Sequence, residues 1–144
     1  ITDFQCALGF NQLKKLNKFL KRRREIAEIY NSKFKNKSFI TVPKINKNCK
    51  HAFHLYPLRI NFDQLGISKK KLFKKLNKKK INLQVHYIPI HLQPFYKKKL
   101  GFKEGDFPVA EKFYKDEVSL PIYFSLQNKQ VYNIIKYLIQ MIGI

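Results

Sequence analysis

The densest run of side chains able to do chemistry is Gln84-Val85-His86-Tyr87-Ile88-Pro89-Ile90-His91-Leu92-Gln93-Pro94-Phe95-Tyr96. Imidazoles, phenols and carboxamides can each both donate and accept hydrogen bonds near neutral pH. Gathered at a strand end, they suit recognition of a polar, ring-shaped ligand. The same residues also fit a packed loop, with its aromatics in the core and its histidines merely hydrogen-bonded. Leu83, Val85 and Tyr87 alternate with Gln84 and His86, which predicts a strand over Ile81 to Tyr87. Pro89 has no N–H to donate, so pairing should stop there and the loop should begin.

The rest of the chain offers little reactive chemistry. His51 and His54 have a spacing that could bind metal from a helix, but they lie in a segment that reads as extended, and no further ligand cluster supports them. The nine acidic residues are scattered, and none forms a pair placed for hydrolysis. There is no GxGxxG, no phosphate loop, no CxxC, and no Ser or Cys in a recognisable nucleophile setting. Cys6 lies among apolar residues and reads as a small core residue. Neither Cys6 nor Cys49 suggests a disulfide framework, so a reducing cytoplasm is the expectation. Read residue by residue, the chain is a binding surface without a catalytic engine or a metal site.

Helices and strands must position that surface. Thr2 or Asp3 caps a long amphipathic helix in which Phe4, Ala7, Leu8, Leu13, Leu16, Leu20, Ala27, Tyr30 and Phe34 recur at helical spacing. The run Lys21-Arg22-Arg23-Arg24 reads as a solvated helix face, with a phosphate-bearing ligand or a partner subunit as alternatives. Residues 52–60 read as a strand that changes face around Pro57, at a sheet edge or a bulge. Ser68 caps a helix from Lys69 to about Lys79 with Leu72, Phe73 and Leu76 as its stripe. Pro108 opens another, to about Glu117, with Ala110, Phe113 and Tyr114 inward. Val118 to Ile122 is short and extended. Gln127 to Ile142 is a final helix with Val131, Ile134, Ile135, Leu138 and Ile142 inward, too short and too polar to cross a bilayer. This order predicts an α+β fold: a small, mostly antiparallel sheet covered by helices, with the long first helix as its spine.

The 144 residues fit one domain, 1–144, able to bury roughly two-thirds of its unfolded surface. The first residue is Ile1, as expected of a chain that begins inside a larger protein. A formal charge of +21 points either to a nucleic-acid or anionic surface or to lysine-rich coding bias. Lysines occur in every segment, Asn, Ile and Phe are abundant, and Gly, Ala and Trp are scarce, which favours bias. A basic nucleic-acid-binding domain would need its cations on one face with exposed aromatics between them. A non-catalytic interaction domain is the third reading.

Four segments in order carry a resemblance: Thr2-Asp3-Phe4-Gln5-Cys6-Ala7-Leu8-Gly9, His51 to Arg59, Gln84 to Tyr96, and Val118-Ser119-Leu120-Pro121-Ile122. Together they resemble the C-terminal part of DegT/StrS-type nucleotide-sugar aminotransferases, most of all those of the pseudaminic-acid pathway that aminate a UDP-linked keto-deoxy sugar. The resemblance implies the small C-terminal domain of the aspartate-aminotransferase-like fold. It also implies pyridoxal phosphate held by a lysine in an N-terminal domain that this chain does not contain, with glutamate as amino donor. It makes His86, Tyr87 and His91 substrate-binding residues, Gln93 a loop-positioning residue, and His54 and Tyr56 mainly structural. No catalytic residue falls in this chain. The implied partners are a nucleotide sugar, an amino acid, and either a second copy or a separately encoded N-terminal half, with no specific nucleic acid and no membrane.

Overall fold

Helix α1 (Asp3–Phe34) begins where its side chains allow it to. Thr2 Oγ1 accepts the Gln5 N–H at 3.3 Å, and Gln5 Oε1 accepts the Thr2 N–H at 2.9 Å, closing a capping box. The computed structural model describes residues 1–143. With 32 residues α1 is about 48 Å long. Only its C-terminal part is buried, through Ile26, Ala27, Tyr30 and Phe34. Phe4, Leu8, Phe10, Leu13 and Leu16 remain exposed. The apolar stripe is therefore continuous in sequence but packed for only half its length. Cys6, expected in the core, lies exposed on the unpacked half.

Strands β1 (Ile40–Thr41), β2 (Tyr56–Ile60) and β3 (Glu117–Leu120) form an antiparallel sheet in the order β1-β2-β3. Pro57 thus sits in the central strand, and the expected edge or bulge is corrected. The tolerance has a geometric cause. Pro57 lies opposite Ser119, whose N–H and C=O both bond Gln84 on β3's other side. The Pro57/Ser119 pair is therefore a non-hydrogen-bonded one, and the missing N–H faces the β1 side. There β1 pairs only with Arg59 and Ile60, so no ladder bond is lost.

Opposed residues share a face. Tyr56 with Leu120 and Leu58 with Val118 put four buried side chains on the core side. Helix α6 (Asn128–Ile142) packs against α1 and against α3 (Lys69–Asn77), burying Val131, Ile134, Ile135, Leu138 and Ile142 as the periodicity requires. The Tyr30 ring lies 4.9 Å from that of Tyr56. Tyr30 donates its hydroxyl to the Pro121 carbonyl at 2.8 Å, and Tyr56 donates to Asn31 Oδ1 at 2.7 Å. Burial pushes both phenols well above their ordinary value, so they serve only as neutral hydrogen-bonding groups. A one-turn helix, α2 (Phe62–Leu65), was not legible in advance. Asn61 caps it and Gly66, at φ 63°, ends it.

The arginine run is not a solvated face. Arg23 Nη1 donates to the carbonyls of Phe53, His54 and Ile122 at 3.0, 2.9 and 3.0 Å. Arg22 Nη2 donates to the Leu126 carbonyl and, at 2.9 Å, to Asn128 Oδ1. Arg24 Nε donates to the His51 carbonyl at 3.0 Å. Three consecutive side chains thus tie α1 to the 51–54 corner and to the segment after β3. At that corner Phe53 has φ 49°, a left-handed conformation that is costly for a bulky residue. Arg23 holds its carbonyl, and His51 Nδ1 accepts its N–H at 3.0 Å. With these cations engaged internally, the nucleic-acid reading loses its densest basic cluster. Among the described residues no helix is long and apolar enough to cross a membrane.

Removing the Arg23 guanidinium leaves three carbonyls without their donor. Arg23→Ala is expected to lower the unfolding free energy by about 2–4 kcal/mol. Lys21→Ala, one residue before the run, should stay within about 0.5 kcal/mol. Urea unfolding followed by circular dichroism checks both.

Candidate functional site

Glu117 and Ser119 occupy the face of β3 turned away from the core, yet they are only 1% and 4% exposed. Residues 84–86 cover them. The Gln84 N–H donates to the Ser119 carbonyl at 3.2 Å, and the Ser119 N–H donates to the Gln84 carbonyl at 2.8 Å. This single bridge is all that forms of the strand expected over 81–87. The ladder stops because the next donor, the His86 N–H, goes to a side chain instead: Glu117 Oε2 at 3.0 Å. Ser119 Oγ donates to Glu117 Oε1 at 2.6 Å and lies 2.8 Å from His86 Nδ1. A carboxylate buried in β3 therefore holds the start of the loop by both backbone and ring.

The chain then turns outward. The His86–Tyr87 peptide is cis, and the Tyr87 ring stands edge-on to the His86 ring at 4.7 Å. Tyr87 is 73% exposed, which corrects the inward alternation expected of it with Leu83 and Val85. His91 lies in a 3-10 turn, Ile90–Leu92, and is 6% exposed. Its Nε2 is 2.7 Å from Glu111 Oε1, and its ring packs against Phe107 at 4.6 Å. Glu111, on α5 (Pro108–Asp116), also accepts the N–H groups of Gly105 and Phe107. Burial works against its charge, but the hydrogen bonds from His91, Gly105 and Phe107 outweigh it and hold the carboxyl below its ordinary range. Gln93 precedes helix α4 (Pro94–Leu100), and its Nε2 is 3.5 Å from the Ile88 carbonyl, at the limit of a hydrogen bond.

The four residues singled out in sequence thus divide. His86 and Tyr87 come together at the surface, His91 is withdrawn into the loop's own scaffold, and Gln93 lies beside the loop. Two hollows meet at His86 and Tyr87. One, about 610 Å³, is walled by Phe107, Val109, Ala110 and Phe113. The other, about 380 Å³, is walled by Arg23, His54, Gln84 and Ser119. Ala110 and Phe113 were expected to face inward, but both are exposed, so α5 turns its apolar side to the first hollow. A further hollow of about 800 Å³ lies beside α2 and α5. Three of the lysines in its wall are engaged: Lys115 with Asp63 at 2.8 Å, Lys112 with Asp116 at 3.1 Å, and Lys69 with the Tyr114 carbonyl at 2.7 Å.

Glu117, Ser119 and Glu111 escaped the sequence reading. The one available signal was the alternation Glu117-Val118-Ser119-Leu120, which places two polar side chains on one strand face. Nothing local says that His86, 31 positions before Glu117 and 33 before Ser119, would bond to both.

A family model described as the DegT/DnrJ/EryC1/StrS aminotransferase family matches residues 1–139. A UDP-4-amino-4,6-dideoxy-N-acetyl-beta-L-altrosamine transaminase of Campylobacter jejuni is 40% identical over 129 residues, 90% of this chain and 34% of the relative. The solved structure of Helicobacter pylori PseC, an aminotransferase of pseudaminic acid biosynthesis, aligns with a TM-score of 0.86 at 32% identity, over 96% of this chain and 37% of that one. Spr1654 of Streptococcus pneumoniae in its PLP form aligns with a TM-score of 0.87 at 30% identity, over 99% of this chain and 36% of that one. The chain spans about a third of the length of these relatives. Pyridoxal phosphate needs a lysine for its Schiff base and a carboxylate at its ring nitrogen. Neither hollow at His86 includes a lysine in its wall, and the carboxylate that lines the first, Asp106, accepts the Lys103 N–H at 2.9 Å. The residues around the loop do not by themselves form a site for the cofactor.

A carboxyl whose folded-state pKa is depressed stabilises the fold above its unfolded value and loses that contribution as pH falls through the folded value. For Glu111 the ordinary value is 4.5. Hydrogen exchange of the Gly105 and Phe107 amides should therefore stay slow above about pH 4.5 and lose protection below it. Glu111→Gln should remove the acid dependence. Protection that is flat through this range in the parent chain would contradict the assignment.

Proposed function

The chain belongs to the DegT/DnrJ/EryC1/StrS aminotransferase family, and on that premise we propose that it is the C-terminal small domain of a pyridoxal-phosphate-dependent sugar transaminase. The whole enzyme would work in the cytoplasm and move an amino group from glutamate to a UDP-linked keto-deoxy sugar, for a surface glycan of the pseudaminic-acid type. In this reading the cofactor lysine and the ring-nitrogen carboxylate lie in an N-terminal part outside residues 1–144. The chain is inactive alone and works as part of a homodimer or with a separately encoded N-terminal half.

The observation that carries the proposal is the placement of His86 and Tyr87. They stand at the surface on a loop fixed from beneath, beside apolar side chains that nothing described covers. Phe107, Val109 and Phe113 on one side, and Phe4, Leu8, Phe10, Leu13 and Leu16 on the first half of α1 on the other, stand exposed, the kind of surface that supports reading both as places for a partner to cover. Covered by the N-terminal part, the Phe107–Phe113 surface would exclude water from the sugar. His86 and Tyr87 would hydrogen-bond the nucleotide sugar and orient it. His91 would act through Glu111 to hold the far end of the loop, with Gln93 beside it. When bound, the cofactor supplies the electron sink for amino transfer. This chain supplies the grip on the sugar.

Reconstitution tests the reading. The chain is mixed with an N-terminal part carrying the cofactor lysine, pyridoxal phosphate is added, and transfer from glutamate to a UDP-keto-sugar is followed. Turnover is expected from the mixture and from neither part alone. Tyr87→Phe and His86→Ala should each raise KM for the sugar by roughly ten- to a hundredfold, the loss of about 1–3 kcal/mol of hydrogen bonding. Two folded parts that give no turnover in any combination would overturn the reading.

A further inference from the structure

Ser119 has one hydroxyl proton and two neighbours. Glu117 Oε1 is 2.6 Å away, and His86 Nδ1 is 2.8 Å away on the other side. Glu117 accepts on both oxygens, since the His86 N–H reaches Oε2 at 3.0 Å. The Glu117 carboxyl is thus used as an acceptor at both oxygens. Burial lowers the Lys69 ammonium below its ordinary range, with Glu117 and Asp116 partly offsetting that. The Ser119 proton points to Glu117 Oε1, so it is not available to the imidazole. The Ser119 oxygen then faces His86 Nδ1 with a lone pair only. Nδ1 must carry a proton, because two lone pairs 2.8 Å apart would repel.

We propose that Glu117 and Ser119 are positioning residues that hold neutral His86 in its Nδ1–H tautomer, leaving Nε2 as a hydrogen-bond acceptor. Among the described residues Nε2 has no hydrogen-bond partner. In a residue that lines both hollows at the loop, this sets what His86 recognises. A bare Nε2 accepts from a hydroxyl or an amide N–H. It repels a phosphate oxygen, which is itself an acceptor. His86 therefore reads the sugar, with its hydroxyl and acetamido donors, and not the diphosphate of a nucleotide sugar. The sugar assignment rests on the transaminase reading above. The tautomer does not, because it follows from hydrogen bonds within the chain.

The test needs no substrate. Ring ¹⁵N–¹H correlation spectra of the full chain, recorded above the titration range of its histidines, separate the two tautomers of each imidazole. His86 is expected with a protonated Nδ1, against the Nε2–H form that free histidine prefers. Ser119→Ala should shift His86 toward Nε2–H, and Ser119→Thr, which keeps the hydroxyl, should restore Nδ1–H. Glu117→Gln gives a second handle on the same chain of hydrogen bonds, with the expected loss of the fixed tautomer. An Nε2–H ring in the parent chain, or an Nδ1–H ring that persists in both Ser119→Ala and Glu117→Gln, would overturn the proposal. A failed lock and a failed transaminase are separate results, because the spectra are read without cofactor or sugar and the reconstitution is read from turnover.

Discussion

A carboxylate buried inside a strand must find donors, and Glu117 takes two from the same neighbourhood: a hydroxyl from its own strand and a backbone N–H from His86. That requirement organises this end of the molecule. It ends the ladder after Gln84, brings the His86 ring onto Ser119, and sends the chain outward at Tyr87. An apolar residue at position 117 would leave the 84–86 segment free to continue as a fourth strand. The loop would then lose the turn that makes its side chains available.

The rest of the fold supplies rigidity around that turn. Arg23 gathers three carbonyls from two segments distant in sequence, and one of them belongs to the left-handed Phe53. It also lines a hollow with His86 and Ser119, so the same guanidinium that docks α1 forms a wall of the site. Glu111 does for the far end of the loop what Glu117 does for the near end. Two carboxylates thus hold a loop whose outer side chains stay exposed. The first half of α1 and the outward face of α5 leave apolar side chains exposed around this scaffold.

The elements with a strong period were legible in sequence. The inward residues of α6, the Ser68 cap and the extents of α1 and α5 follow from spacing and capping chemistry alone. The errors share a cause: they depend on what covers a face, and sequence does not print the cover. Phe4, Leu13 and Phe113 carry the right pattern but have no described partner. Pro57 looked like an edge residue because its tolerance comes from Ser119 bonding Gln84 on the other side. Arg22 to Arg24 looked solvated because their carbonyl partners lie 26 to 104 positions away. The loop from Gln84 to Tyr96 was found from residue types, but the acids that hold it were not, since each contact joins segments 20 or more residues apart.

The hydrogen bonds that set the loop all come from this chain, and on the proposed reading an N-terminal part covers the apolar surfaces around it. Hydrogen–deuterium exchange of the chain, free and mixed with an N-terminal part bearing the cofactor lysine, tests it directly. The account predicts a His86 amide already slow in the free chain, with new protection on mixing along Phe4–Leu16 and Phe107–Phe113. A His86 amide that exchanges freely until the second part is added, or no new protection on either apolar surface, would contradict it.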